Sequence, residues 1–293
     1  IRKYIAYLRT VETGSITRTT YVGLTGAMLE RIDDFNTTGA TGVPSGWSSS
    51  NGLNLVNDFQ SDLMGRITQE LGPPHVVDID GTAVTVRTAR FTVYRCDLHA
   101  TWTAAGYAAG TPGYDYTTVG PVSITRRDAD GNVLDQITAR RSGTGRLSAS
   151  DSFPQSSWLR WTSTIIDRHG LTVETRRYFD ILESGEGLNG INYLTERTGY
   201  DAMGRPDRSV SPGGTVTRTT FDTRGLATAV RTGTDDTGTA SNNMVIVEAN
   251  EYDSRATRGN GLLTTRTLYA GKPATTVTRA TTFGSAWRDR RVL

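Results

Sequence analysis

The sequence has little of the residues on which cross-links and most catalytic sites depend. It contains one cysteine, Cys96, three histidines and only two lysines among its 32 basic residues. One cysteine excludes a disulfide within the chain, so a chain of 293 residues must be stabilised by its own core. The formal net charge is +2. This balance gives no electrostatic reason to expect a nucleic-acid partner.

Long apolar runs and a recognisable start are also missing. No apolar stretch approaches the roughly 20 residues of a transmembrane helix, so we expect no membrane span. The chain opens at Ile1 without an initiator methionine or a signal-peptide pattern. We therefore expect residues 1–293 to be one β-repeat segment of a larger protein. On that expectation, the missing signal says nothing about the compartment.

Threonine and glycine are abundant, with 47 and 32 residues. Threonine is β-branched and favours strands, and glycine supplies the tight turns between them. The clearest strand patterns lie at 82–98 and 171–181, and the best short helix candidate lies at 53–64. The composition predicts an all-β fold with many short strands.

A tetrapeptide, Asp-x-x-Gly, recurs along the chain with strand-like residues on both sides. About two copies would be expected by chance, and seven are present. An aspartate that opens a turn can accept hydrogen bonds from its own backbone, and glycine tolerates the positive φ of hairpin turns. The pattern predicts consecutive antiparallel hairpins, clearest over 56–231. The copies begin at Asp62, Asp78, Asp128, Asp167, Asp201, Asp222 and Asp235.

Insertions at 36–54, 99–120, 142–157, 183–192 and 232–243 are predicted to be loops. They carry aromatic residues that are candidates for contacts with a sugar ring or a protein partner. The alternative, that these rings fold back to cover the sheet, stays open. The candidates are Trp47, Trp102, Tyr107, Tyr114 and Tyr116.

Three short motifs resemble known sites but lack what those sites need. Gly185–Gly190 spells G-x-G-x-x-G, yet no helix pattern follows to bind a pyrophosphate, so a loop is predicted. Asp128-Ala-Asp-Gly and Asp78-Ile-Asp-Gly lack the closing acidic ligand of a calcium loop and are interpreted as hairpin turns. Cys96 and His99 lack two further zinc ligands; a buried cysteine beside a histidine at a strand edge or in a loop is expected.

No nucleophile motif is present, and nothing singles out a carboxylate pair for glycoside hydrolysis. The sequence therefore predicts no cofactor, no metal and no enzymatic activity.

The segments Tyr200-Asp-Ala-Met-Gly-Arg205 and Phe221-Asp-Thr-Arg-Gly-Leu226 resemble the YD repeat of Rhs proteins. The same repeat occurs in the shell components of Tc toxins and in teneurins. The resemblance implies a long sheet that spirals into a hollow shell, often around a toxic C-terminal domain. It assigns a structural turn role to Asp62, Gly65, Asp128, Gly131, Asp167, Gly170, Tyr200, Asp201, Gly204, Phe221, Asp222, Gly225, Tyr252 and Asp253.

The sequence thus favours a structural wall segment of a large secreted or surface-exposed bacterial protein. The alternative is an extracellular adhesion or carbohydrate-binding fibre that uses the loop aromatics; an enzyme ranks third. The expected partners are the rest of the same polypeptide or neighbouring copies, joined as a filament through open sheet edges. An enclosed C-terminal toxin domain and surface glycans are further expected partners.

Overall fold

The computed structural model describes residues 18–23, 26–34, 38, 52–110, 113–237, 243–253, 261–270, 277–282, 284–286 and 290–292. The chain divides into two compact units. Unit 1 comprises Ile1–Trp161 with Ile181–Gly185, and unit 2 comprises Thr162–Asp180 with Glu186–Leu293. Whether they belong to one repeat segment of a larger protein stays a prediction.

The described secondary structure is almost entirely β, which confirms the predicted fold class. Its helices are two single 3-10 turns, Cys96–Leu98 and Gln155–Ser157. The strands are β1 Arg18–Val22, β2 Met28–Asp33, β3 Leu55–Ser61, β4 Ile67–Ile79, β5 Thr82–Arg95, β6 Ala100–Ala109, β7 Asp115–Arg127, β8 Val133–Ala139, β9 Trp158–Ile166, β10 Thr172–Tyr178, β11 Tyr193–Tyr200, β12 Pro206–Val210, β13 Val216–Phe221, β14 Ala227–Gly233, β15 Val245–Tyr252, β16 Leu263–Tyr269, β17 Val277–Thr282, β18 Gly284–Ala286 and β19 Arg290–Val292.

In unit 1, strands β1 to β8 pair antiparallel in chain order, each with the next. The core forms where directly opposite residues on adjacent strands share a face. Gln69 lies opposite Phe91, which lies opposite Ala104, and all three are buried.

Two predictions of local structure in unit 1 are wrong. The helix candidate at 53–64 is strand β3, because Asn57 and Phe59 alternate as buried positions along it. The predicted loop at 99–120 contains β6 and the first part of β7, two strands that pair along most of their length. Its glycine and alanine content reflects close packing, since a Cβ at Gly106 would overlap the carbonyl oxygen of Thr117.

The connection between β8 and β9, residues 140–157, is called the strap. Leu147 of the strap is buried, and the Phe153 ring meets the Trp102 ring edge-on at 5.0 Å between centroids. Arg141 binds Asp151 through two nitrogens, Nε at 3.0 Å and Nη2 at 2.9 Å. The strap therefore completes the unit 1 core from outside the sheet.

In unit 2, the end of β9 pairs with β10, and strands β10 to β17 then pair antiparallel in chain order. β18 and β19 form a separate antiparallel pair. The buried apolar side chains described in this unit are Tyr193, Val216 and Ala229. Consecutive antiparallel hairpins are thus the architecture of both units, as predicted; the curvature of the sheet stays a prediction.

Candidate functional site

Every second connection of an antiparallel meander lies at the same edge of its sheet. Five of the seven Asp-x-x-Gly turns lie in such connections at one edge of each unit, and we call that edge the Asp-turn edge. In unit 1 it comprises the connections that follow β1, β3, β5 and β7; in unit 2 it comprises those that follow β9, β11, β13 and β15. The meander therefore collects turns that are far apart in sequence into a column along each unit.

The turn at Asp222 shows the local geometry. The Asp222 N–H donates to the Leu226 carbonyl at 2.9 Å, and the Gly225 N–H donates to the Asp222 carbonyl at 3.0 Å. Asp222 Oδ1 accepts the backbone N–H groups of Arg224 and Leu226, both at 2.9 Å. Gly225 has φ 86°, the left-handed region that glycine adopts without strain.

The same set of bonds occurs at four more of the predicted turns. Each aspartate accepts the N–H groups two and four residues later, and each turn glycine has a positive φ. These turns are Asp62–Gly65, Asp128–Gly131, Asp167–Gly170 and Asp201–Gly204.

Donors around these carboxylates lower the pKa of all five aspartates below the ordinary 3.8. At Asp62 and Asp201 the largest cause is the arginine four residues later, Arg66 or Arg205. At Asp222 the largest cause is the Leu226 backbone N–H. The charged form of the aspartate is therefore the form that stabilises the turn.

Three other turns depart from this geometry. The Asp78 turn lies at the opposite edge, with Asp78 inside β4 and positive φ at both Asp80 and Gly81. Asp253 accepts the Leu262 N–H at 2.8 Å across a longer connection. The Thr237 N–H donates to Asp235 at 2.9 Å, while Gly238 lies outside the described residues.

The aromatic residue before the turn aspartate joins one hairpin to the previous one. The Tyr200 hydroxyl donates to the Thr172 carbonyl at 2.8 Å, and the Tyr252 hydroxyl donates to the Ala227 carbonyl at 2.9 Å. Both acceptors lie five residues after the aspartate of the preceding turn in the column. Phe221 has no hydroxyl; instead, the Arg205 guanidinium lies 4.6 Å from its ring centroid.

The residue four places after each aspartate contacts the next turn of the column. Arg205 Nη1 lies 3.2 Å from the position that a Cβ on Gly225 would occupy. Leu226 Cδ1 lies 3.3 Å from the same position on Gly261, and Leu171 lies at 4.0 Å on Gly204. We call this succession in unit 2 the turn stack. It comprises the turns 167–171, 201–205 and 222–226, the described residues Asp253, Gly261 and Leu262 of the next connection, and the tyrosines Tyr200 and Tyr252.

From the sequence, the repeat tyrosine or phenylalanine and the apolar residue after each turn glycine are expected to pack between hairpins. What the sequence did not give is which residues meet: the tyrosine hydroxyl bonds to Thr172 and Ala227, and the contact of Arg205 with Phe221. The available signal was the arginine, asparagine or apolar residue that follows each turn glycine. This residue type does not by itself identify the partner on the neighbouring hairpin, because contacts between hairpins depend on strand register.

The predicted contact aromatics do not lie together on loops. Trp102 is on β6 and only 4% exposed, so this ring is buried in the sheet and is not an exposed loop aromatic. Tyr107 and Tyr116 are half-buried within β6 and β7, and Tyr114, just before β7, has its hydroxyl 3.3 Å from Arg87 Nη1. Trp47 lies outside the described residues. A role of these rings in binding stays a prediction.

The motifs resembling known sites are backbone features. Gly185, Gly187 and Gly190 all have positive φ, and β11 begins at Tyr193, so a strand follows the glycines. Cys96 is exposed rather than buried, because it begins the 3-10 turn after β5; Arg66 Nη1 lies 3.5 Å from its Sγ.

The described part of the chain contains no group of three or more histidine, cysteine, aspartate or glutamate residues placed to hold a metal ion. None of its helices has the length and apolar character needed to cross a bilayer.

No family model and no curated protein matches this sequence. Among solved structures, TcdB2-TccC3-Cdc42 aligns with 93% of this chain and 15% of its own chain, at 11% identity and a TM-score of 0.31. The Photorhabdus luminescens Tc holotoxin pore aligns with 93% of this chain and 16% of its own, at 12% identity and a TM-score of 0.29. TcdB2-TccC3 aligns with 95% and 16%, at 12% identity and a TM-score of 0.29.

Likeness at these TM-scores and identities carries no conclusion about this chain. The chain spans about a sixth of the length of the chains it aligns with. The activities and partners of those complete proteins are therefore not transferred to this chain.

Proposed function

We propose that this chain is a wall segment of a large shell-forming protein, with a mechanical role and no reaction of its own. The observation that carries the proposal is the turn stack. Each hairpin is joined to its sheet neighbours by ladder bonds and to the preceding turn by a tyrosine hydroxyl or an arginine on an aromatic ring.

The turn stack suits a wall because the same hairpin, with the same contacts to its neighbour, can be repeated along it. The aspartate satisfies the turn backbone within its own hairpin, while the residues four and five places later serve the neighbouring turn. Adding a hairpin thus adds the same contacts again, as in other repeat proteins whose stability grows by nearest-neighbour terms. Aromatic contacts and hydroxyl bonds then resist shear between hairpins along the edge.

The finer parts of the proposal rest on the resemblance of 200–226 to the YD repeat. On that basis we propose that the wall encloses or presents a toxin or effector domain, and that the intact protein is secreted or displayed at the cell surface. Its partners would be the remaining chain of the same polypeptide and the enclosed domain.

Electron cryomicroscopy of the whole polypeptide that contains this chain tests the proposal. A closed wall around a lumen, with these residues in the wall, is expected. An extended fibre with no lumen would contradict enclosure and favour the adhesion-fibre alternative. A compact particle without a lumen would contradict both.

A protease assay on the same polypeptide tests whether the turn stack maintains the wall. Gly225→Val introduces a branched side chain at φ 86° beside Arg205, whereas Gly145→Val places one in open space. Faster cleavage in Gly225→Val than in Gly145→Val is expected. Equal cleavage of the two variants would contradict a role for the turn stack in closing the wall.

A further inference from the structure

Three arginines of unit 2 lie in a row across adjacent strands. Arg208 on β12 is directly opposite Arg218 on β13, which is directly opposite Arg231 on β14. Directly opposite residues share a face and have Cβ atoms about 5 Å apart, and like charges so placed repel. We call these three residues the arginine ladder. Anions placed between these guanidinium groups would offset the repulsion among them.

One anion comes from the connection between β14 and β15. Asp236 Oδ2 accepts from Nε of Arg208 at 2.8 Å and from Nε of Arg218 at 2.6 Å. Asp236 Oδ1 accepts from Nη2 of Arg208 at 3.0 Å, and the carboxylate is only 6% exposed. The first gap of the ladder therefore shows how a planar carboxylate fits between two of its guanidinium groups.

The second gap, between Arg218 and Arg231, lacks such an acidic group. Arg231 Nη1 donates to Thr220 Oγ1 at 2.8 Å, and no carboxylate of the described residues forms an ion pair with Arg231. Both arginines line an open pocket of about 480 Å³ beside Met244.

The carboxylates that line this pocket already have partners. Asp201 is bound by Arg205, and Asp207 is bound by Arg218 at 3.0 Å. Asp236 is shared by the first two arginines of the ladder. Among the charged groups that line the pocket, the Arg231 guanidinium is therefore the one that forms no ion pair within the described residues.

We propose that the gap between Arg218 and Arg231 binds the carboxylate of an acidic side chain from another polypeptide. A guanidinium fork matches the two oxygens of a carboxylate, and Asp236 provides the template one strand away. The pocket is large enough to admit an aspartate or glutamate side chain but lies on a strand surface, so the carboxylate enters from outside. This site goes beyond the wall function, which does not require it.

The test is fluorescence anisotropy with a labelled peptide of alternating glutamate and glycine, at low and constant ionic strength on the 293-residue chain. The same peptide with glutamine is the uncharged probe. Arg231→Gln is expected to weaken binding of the acidic peptide by at least about tenfold. Arg160→Gln removes an exposed arginine of β9 and is the matched control, expected to change binding by less than about twofold.

Four outcomes would overturn the proposal. They are no binding of the acidic peptide, equal binding of the glutamine peptide, equal losses in Arg231→Gln and Arg160→Gln, or displacement by inorganic phosphate at lower concentration than by acetate. The third would indicate general charge attraction, and the last a site for tetrahedral anions.

Arg231→Lys keeps the charge but lacks the fork. It is expected to bind more weakly than the native chain, and native-like binding would contradict fork recognition. Circular dichroism of each variant separates loss of the site from loss of the fold. Failure here would leave the wall proposal intact, because the turn stack does not involve Arg231.

Discussion

Units 1 and 2 use the same Asp turn but hold their strands together differently. In unit 1, β4, β5 and β7 are 13 or 14 residues long. In unit 2, β10 to β16 are five to eight residues long. Fifteen of the eighteen buried apolar side chains described belong to unit 1. Burial of apolar surface stabilises unit 1, and the described part of unit 2 buries few apolar side chains.

Unit 2 relies more on charge pairs, which form within a strand, between strands and from a connection to the strands. Glu174 binds Arg176 at 2.7 Å and Arg197 at 2.9 Å, and Asp236 joins Arg208 to Arg218. The Asp turn is thus compatible with a large apolar core and with a charged sheet. A repeat whose turn satisfies its own backbone leaves its strands free to vary.

Acid is expected to produce the largest difference in stability between the units, because protonation removes the stabilising charge of several carboxylates at once. The pKa values of Glu174, Asp236 and Glu248 in unit 2 lie below their ordinary values. At Glu174 burial is the largest single cause and acts to raise the pKa, but Arg176 and Arg197 together outweigh it. At Asp236 and Glu248 the largest cause is the hydrogen bond from Arg208 or Arg266. A lowered pKa contributes stability that is complete above the ordinary value, 4.5 for glutamate and 3.8 for aspartate, and is lost as the pH falls through the lowered value.

Hydrogen exchange followed by mass spectrometry at decreasing pH measures this difference. Below about pH 4, peptides from β10 to β16 are expected to lose protection before peptides from β4 to β8. Simultaneous loss, or earlier loss in unit 1, would show that the charge pairs contribute little to unit 2. Repeating the series at high salt sharpens the result, since salt screens the exposed members of these pairs.

Trp102→Ala is expected to have the largest effect of any single substitution proposed here. It removes a buried ring from β6 and its contact with Phe153 of the strap, and destabilises unit 1 by about 3–5 kcal/mol. Urea unfolding followed by far-ultraviolet circular dichroism measures the change. Leu63→Ala is the control, because Leu63 is fully exposed in a turn. A loss below about 1 kcal/mol for Trp102→Ala would show that the strap and β6 are not one core.

Gly225→Ala tests the turn stack at a single position in unit 2. A side chain at φ 86° costs about 1–2 kcal/mol, and its Cβ would lie 3.2 Å from Arg205 Nη1. Gly145→Ala is the matched control, since a Cβ there meets nothing within 4 Å. The comparison is made from the urea midpoints of the two variants. Equal midpoints would mean that the turn accommodates an alanine side chain at Gly225 without a loss of stability.

Tyr200→Phe is expected to have the smallest effect, about 1 kcal/mol, because it removes one hydroxyl bond to the Thr172 carbonyl. Tyr252→Phe should behave alike, since its hydroxyl occupies the equivalent position. Tyr107→Phe in unit 1 is the control and should change little. Hydrogen exchange of the strands beside each tyrosine provides the measurement. Unchanged hydrogen exchange in both Tyr200→Phe and Tyr252→Phe would show that the hydroxyl bonds do not stabilise the turn stack.

Much of the fold was predictable from local chemistry. Threonine favours strands, and an aspartate three residues before a glycine closes a turn from within, so the turns at Asp62, Asp167 and Asp222 needed no long-range information. The error at 99–120 has the opposite origin. Its alanines and glycines looked like a loop, whereas Gly106 is required by the close approach of Thr117 on the neighbouring strand.

The candidate sites were less predictable than the fold. The arginine ladder consists of residues ten and thirteen apart in sequence, and only the pairing of β12, β13 and β14 places them opposite one another. Asp236, in a segment predicted to be a loop, gave no sign that it would bridge two strands.

By itself, the sequence determined that the chain folds as short strands and where most hairpins turn, because turn and strand preferences act over a few neighbouring residues. The tertiary structure alone decided which side chains meet between hairpins. Strand register and the alternation of connections between two edges bring Tyr200 to Thr172, Arg205 to Phe221 and Arg218 to Arg231. A shift of one residue in register would turn each of these side chains to the other face of the sheet.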